Sequence, residues 1–130
     1  MDNRITESEW QLMELVWQGI VTQPQMMERL GKKWNKNTVH TFLSRLCAKG
    51  FLAVDREVVP HVYQALVSRE DCERQERQNF LQKIYRGSVG NMVAAFVQDG
   101  QLSQREIDRL QKLLEDARPG RDMPGEPKGQ

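Results

Sequence analysis

A mainly α fold (α+β) with one small β hairpin is predicted by three features of the sequence. Capping patterns recur ahead of apolar residues at helical spacing. The apolar period then changes between residues 51 and 67 to two short strand-like runs. Helical spacing resumes afterwards and continues to residue 114.

The first helix opens on Thr6, Glu7, Ser8 and Glu9, a capping box. The Thr oxygen accepts from the backbone N–H three residues on, and Glu9 reaches back. Trp10, Met13, Trp17 and Ile20 follow at helical spacing. Thr22 and Gln25 make a second box, with Pro24 in the first turn, where its missing N–H does no harm. Met26, Met27 and Leu30 continue this short helix, and Gly31 is its expected stop. Asn35 can cap a third helix. In it Val39, Phe42, Leu43 and Leu46 make a full apolar stripe, and Gly50 is placed to end it in the left-handed conformation.

Residues 51–54 and 61–67 read as strands, and residues 55–60 as the turn between them. Ser68 to Asp71 carry another cap pattern. Phe80 and Ile84 share a face, and Gly87 and Gly90 weaken or break the helix. Met92, Val93, Phe96 and Val97 resume the stripe. A last box at Ser103 and Glu106 leads to Ile107, Leu110, Leu113 and Leu114.

Three helices and a hairpin within the first 68 residues have the order and size of a winged helix-turn-helix. The later helices hold too few apolar residues for a core of their own, which points to pairing with a second copy. The expected organisation is a winged helix-turn-helix DNA-binding domain at 1–68, a helical dimerisation domain at 69–118 and a disordered tail at 119–130. In that tail six of twelve residues are Pro or Gly.

The 130 residues include 19 Lys or Arg and 18 Asp or Glu, and 38% are hydrophobic. That fraction lies below the ~45–50% of an average domain and fits a small protein that completes its core by oligomerising. No apolar run reaches the ~18 residues of a membrane helix, so no membrane insertion is expected. The start, MDNRITESEW, has no apolar signal region. A cytoplasmic location is the expectation.

Charge is unevenly spread. Residues 1–28 set Arg4 against Asp2, Glu7, Glu9, Glu14 and Glu28, a net −4. Residues 29–56 set Arg29, Lys32, Lys33, Lys36, Arg45, Lys49 and Arg56 against Asp55, a net +6. Residues 69–118 balance. One basic segment is thus embedded in a nearly neutral chain.

The third helix is the main functional candidate, because a recognition helix needs an apolar face to dock and a polar face for base edges. Here Asn37, Thr38, His40, Thr41 and Arg45 would face DNA. Arg pairs bidentately with guanine, Asn with adenine, and Thr with a base edge, a thymine methyl or a phosphate. Lys32, Lys33, Lys36 and Lys49 are candidate phosphate contacts, which position without reading sequence. Arg56 is the one base in the wing, whose tip, Val58, Val59 and Pro60, is unusually apolar. The plainer reading of the same face is an ordinary solvated one.

Trp10, Met13, Trp17, Phe42, Leu46 and Phe51 are expected in the core, and Tyr63 is expected to pack. Cys47 reads as a small core residue, while Cys72 lies in a first helical turn, a position that lowers a thiol pKa. Cys47, Cys72, His40 and His61 have no metal-ligand spacing, and no cofactor is expected. No GxSxG, glycine-rich phosphate loop or HExxH occurs, so an enzyme is not expected.

The stretches ITESEWQLMELVW, NTVHTFLSRLCAKGF, VYQALVSRED, NFLQKIYRGSVGNMVAAFV and LSQREIDRLQKLL, in this order and spacing, resemble the BlaI/MecI family of penicillinase repressors. That family also includes the CopY copper-responsive repressors. The resemblance covers roughly residues 4–117. It implies a homodimeric transcriptional repressor that binds double-stranded operator DNA with an inverted repeat, typically of TACA/TGTA half-sites. It implies control of β-lactam resistance or another stress-responsive operon.

By family position Thr38, Thr41 and Arg45 match the recognition pattern, whereas Asn37 and His40 stand where relatives often carry Lys or Arg. The dimer is expected to use Phe80, Ile84, Tyr85, Met92, Val93, Phe96, Val97, Ile107, Leu110 and Leu114. The same residues could instead fill an intramolecular helical core. In the penicillinase branch a membrane sensor protease triggers cleavage of an Asn-Phe bond. The matching bond here is Ala95–Phe96, with the Phe kept and the Asn not. In the copper branch a C-terminal cysteine motif binds metal, and the tail PGRDMPGEPKGQ has no Cys. The alternative function is a winged-helix protein-interaction module without specific DNA binding, motivated by the near-neutral chain and the softened charge of the third helix.

Overall fold

A computed structural model describes residues 4–119. The tail expected at 119–130 therefore falls, from residue 120 on, outside the described residues. The elements are α1 (Glu7–Trp17), α2 (Gln23–Leu30), α3 (Lys36–Ala48), β1 (Leu52–Asp55), β2 (Val62–Ala65), α4 (Arg69–Tyr85), α5 (Val89–Gln98) and α6 (Gln104–Asp116). This is the mainly α winged-helix fold expected from the sequence.

Local signals set the helix ends. Thr6 and Glu9, Thr22 and Gln25, and Ser103 and Glu106 form complete capping boxes, so the first orphan N–H groups of α1, α2 and α6 are satisfied reciprocally. Asn35 Oδ1 accepts from Thr38 N at 2.8 Å to start α3. Gly50, at φ 89°, follows α3 in the left-handed region that a Cβ disfavours. The break after α4 falls at Arg86 and Gly87, both at positive φ, with Ser88 capping α5; Gly90 lies inside α5.

The chain folds as two compact units, Met1–Asn79 and Phe80–Gln130. The first has one apolar core. Leu12, Met13, Leu15 and Val16 of α1 meet Met26 of α2, Val39, Leu43 and Leu46 of α3, Leu52 of β1 and Tyr63 of β2. Each such side chain contributes ~1.5–3 kcal/mol relative to exposure. Of the six expected core residues, Met13 and Leu46 are buried, while Trp17, Phe42 and Phe51 pack on the core's edge. Trp10 lies half-exposed, edge-on to Trp17 at 5.5 Å, and its indole N–H donates to Glu14. The Trp17 indole donates to the Val67 carbonyl at 3.1 Å, tying α1 to the end of the hairpin.

The hairpin pairs β1 and β2 antiparallel, with Leu52 opposite Ala65 and Val54 opposite Tyr63. A further rung, which the sequence does not signal, joins the hairpin to the helices. Thr22 bridges Val62, and Tyr63 N donates to the Val21 carbonyl at 2.8 Å, so the start of α2 lies against β2. A one-residue bridge has no alternation for the eye to find.

In the second unit α5 and α6 bury no residue. Phe80 meets Tyr85 edge-on at 5.8 Å, and Leu81 is buried. No described helix is long and apolar enough to cross a membrane.

Candidate nucleic-acid interface

The stripe of α3 divides its two faces. Val39, Leu43 and Leu46 are completely buried, which fixes the helix's rotation and leaves Asn37, His40, Thr41, Ser44 and Arg45 exposed, with Thr38 half-buried. Asn37, Thr41 and Arg45, separated by steps of four, share one line along the helix. The Thr41 hydroxyl donates to the Asn37 carbonyl at 3.0 Å, which fixes the hydroxyl and leaves its oxygen free to accept. His40 Nε2 and Ser44 Oγ lie 3.5 Å apart.

The basic residues of 29–56 separate by what they touch. Arg29 reaches Gln18 at 3.3 Å, and Lys33 lies 5.2 Å over the Trp34 ring, which packs edge-on against Phe42. Lys49 points inward: its ammonium contacts Glu9 Oε1 at 2.8 Å and donates to the Arg4 carbonyl at 2.9 Å. Lys32, Lys36 and Arg45 have no acidic partner among the described residues. Arg56 sits near enough to Cys47 and Tyr63 to favour their ionised forms, against the larger effect of burial. Burial raises the Cys47 thiol and the Tyr63 phenol above their ordinary values.

Cys72 behaves differently from its helix position. It is buried, and burial first, then Asp71 and Glu76, push its thiol pKa up, so the first-turn effect does not lower it. Among the described residues no group of three or more His, Cys, Asp or Glu could hold a metal.

The wing is short. Asp55 Oδ1 accepts from Glu57 N at 2.9 Å, and Val59 at the tip is 91% exposed. Gln23 Nε2 donates to the Lys36 carbonyl at 2.9 Å and joins the starts of α2 and α3. A groove of about 630 Å³ lies between α2, α3 and the wing, lined by Met27, His40, Val59, His61 and Tyr63 among others. Its walls come from sequence positions far apart, so Gln23, Met27 and His61 gave no signal as neighbours.

In the second unit most of the expected dimer residues are exposed to water. Phe80, Ile84, Val93, Phe96, Val97 and Leu114 are exposed, while Tyr85, Met92, Ile107 and Leu110 are half-buried. Exposed apolar residues at this density mark an interaction surface. The Ala95–Phe96 bond lies inside α5.

The penicillinase repressor family profile matches residues 5–116. The chain is 32% identical over 124 residues to the methicillin resistance regulatory protein MecI of Staphylococcus aureus (strain N315), covering 88% of this chain and 98% of the relative. It is 29% identical over 116 residues to the penicillinase repressor of Bacillus licheniformis, covering 87% of this chain and 91% of that protein.

Proposed function

The chain belongs to the penicillinase repressor family and is a transcriptional repressor, and we propose that it works as a homodimer on an inverted-repeat operator. The observation that carries this is the division of α3. Three fully buried aliphatics anchor it, and the opposite face presents Asn37, Thr41 and Arg45 in line, with Thr38 and His40 beside them. In this reading Arg45 and Asn37 take base edges, Thr41 a base edge or thymine methyl, and Lys32, Lys33, Lys36 and Arg56 the phosphates. Lys49 first holds the fold, through Glu9.

The apolar surface of α4, α5 and α6 supports the dimer. A second copy removes Phe96, Val97 and Leu114 from water, and a dimer on two half-sites needs its recognition helices roughly 34 Å apart, one turn of duplex. The names of the relatives, a methicillin resistance regulatory protein and a penicillinase repressor, support a resistance regulon. Release by a membrane sensor protease acting at Ala95–Phe96 would require α5 to open locally, since the bond is helical.

Light scattering on the chain with a single-operator duplex tests the assembly. Two chains per duplex are expected. One chain per duplex, or no complex, contradicts it.

A further inference from the structure

The groove between α2, α3 and the wing has the composition of a ligand site. Its walls are held by the Gln23–Lys36 hydrogen bond on one side and the Thr22–Val62 bridge on the other. Pro24, Met27, Val59, Pro60 and the Tyr63 ring supply an apolar surface, and the volume of about 630 Å³ falls within the ~300–1,000 Å³ of small-molecule pockets. Its polar lining is basic or neutral, with the Gln23 amide among it. Lys36 and both histidines of the chain line it, and no Asp or Glu does. The Lys36 ammonium has no acidic partner among the described residues. Val59, 91% exposed at the mouth, is left for an occupant to cover.

We propose that this groove is an effector site for a small organic anion with a flat apolar body and one carboxylate, and that its occupancy releases the operator. The body lies on Met27, Val59 and Tyr63, and the carboxylate takes Lys36 and the imidazoles of His40 and His61. Lys36 and His40 belong to both the groove and the DNA-facing surface, so anion and duplex compete for them. The regulatory half rests on the DNA-binding reading, and the binding half does not.

The probe is 1-naphthoate, titrated into the full chain without DNA and followed by backbone amide shifts. Saturable shifts are expected at Gln23, Met27, Lys36, His40, His61 and Tyr63. Naphthalene, which lacks the carboxylate, should bind about tenfold more weakly or worse. Val59→Asp places a like charge at an exposed position of the mouth and should weaken 1-naphthoate similarly while leaving the fold intact. With operator present, competition predicts about a 100-fold loss of apparent DNA affinity for each chain of the dimer whose groove must empty, at 100 times the probe's Kd. Shifts confined to α5 and α6, or no saturation, overturn the site. Saturable binding in the groove with unchanged operator affinity overturns the regulatory role. A chain that binds the probe but no operator leaves the site standing and removes the DNA reading instead.

Discussion

Lys49 Nζ lies 2.8 Å from Oε1 of Glu9, a carboxylate with no exposed surface, 40 residues earlier in the chain. The same Oε1 accepts from Thr6 N at 3.0 Å, so one oxygen closes the α1 capping box and pairs with the cation after α3. Glu9 Oε2 has no hydrogen-bond partner among the described residues, and the Lys49 ammonium on Oε1 helps make burial of this carboxylate tolerable.

Lys49→Ala is therefore expected to destabilise the first unit. Losing one partner of a fully buried pair costs ~3–5 kcal/mol, and the 21% exposure of Lys49 reduces this to roughly 2 kcal/mol. Adding Glu9→Gln removes the orphaned charge, so the double variant should unfold at higher urea than Lys49→Ala alone. Additive losses in that cycle would show that the two residues do not act as a pair.

On α3 two cations should behave differently. Arg45→Ala is expected to cost about 1–3 kcal/mol on the operator and to relax preference at one base pair. Lys36→Ala should weaken operator and scrambled DNA alike and lower the salt slope by about 0.9. Equal losses on both duplexes for Arg45→Ala would remove its base-reading role.

Phe96, 43% exposed on α5, lies on the surface assigned to the second copy. Phe96→Asp should leave each chain folded, since the side chain is not core, and should prevent pairing by placing an unpaired charge in an apolar interface. Sedimentation reads this directly: a monomer with unchanged helical circular dichroism is expected, and a dimer contradicts the assignment.

Glu14 gives a pH-dependent test. Arg69 grips its two oxygens at 2.6 and 2.8 Å, and this hydrogen bonding, reinforced by the Trp10 indole, holds the Glu14 carboxyl below its ordinary value against a smaller effect of burial. A depressed folded-state pKa contributes stability that is present above the ordinary carboxylate range and is lost as pH falls through the folded value. The difference in Tm between the wild type and Glu14→Gln should be small and positive at neutral pH and vanish in acid. A difference independent of pH would mean that the ion pair is not its source.

Much of the fold was legible because its signals are local. Each capping box spans four residues, and the stripe of Val39, Leu43 and Leu46 spans eight, so helix starts and the rotation of α3 follow from the sequence directly. The exposed polar face of α3 follows from the same stripe. Long-range pairings left no such trace. Lys49 resembles any surface cation until the fold brings Glu9 to it, and Cys72 looks like an activated first-turn thiol until burial is known. The Thr22–Val62 bridge, which puts His61 beside α2 and α3, is a single rung without periodicity.

In the proposed complex α3 reads an operator from a phosphate-anchored dimer. Fluorescence anisotropy on a labelled TACA/TGTA inverted repeat, beside a scrambled duplex and across a salt series, tests it most directly. Selective binding is expected, with log affinity falling against log salt at about 0.9 per neutralised phosphate. Weak binding to both duplexes at every salt concentration would contradict it.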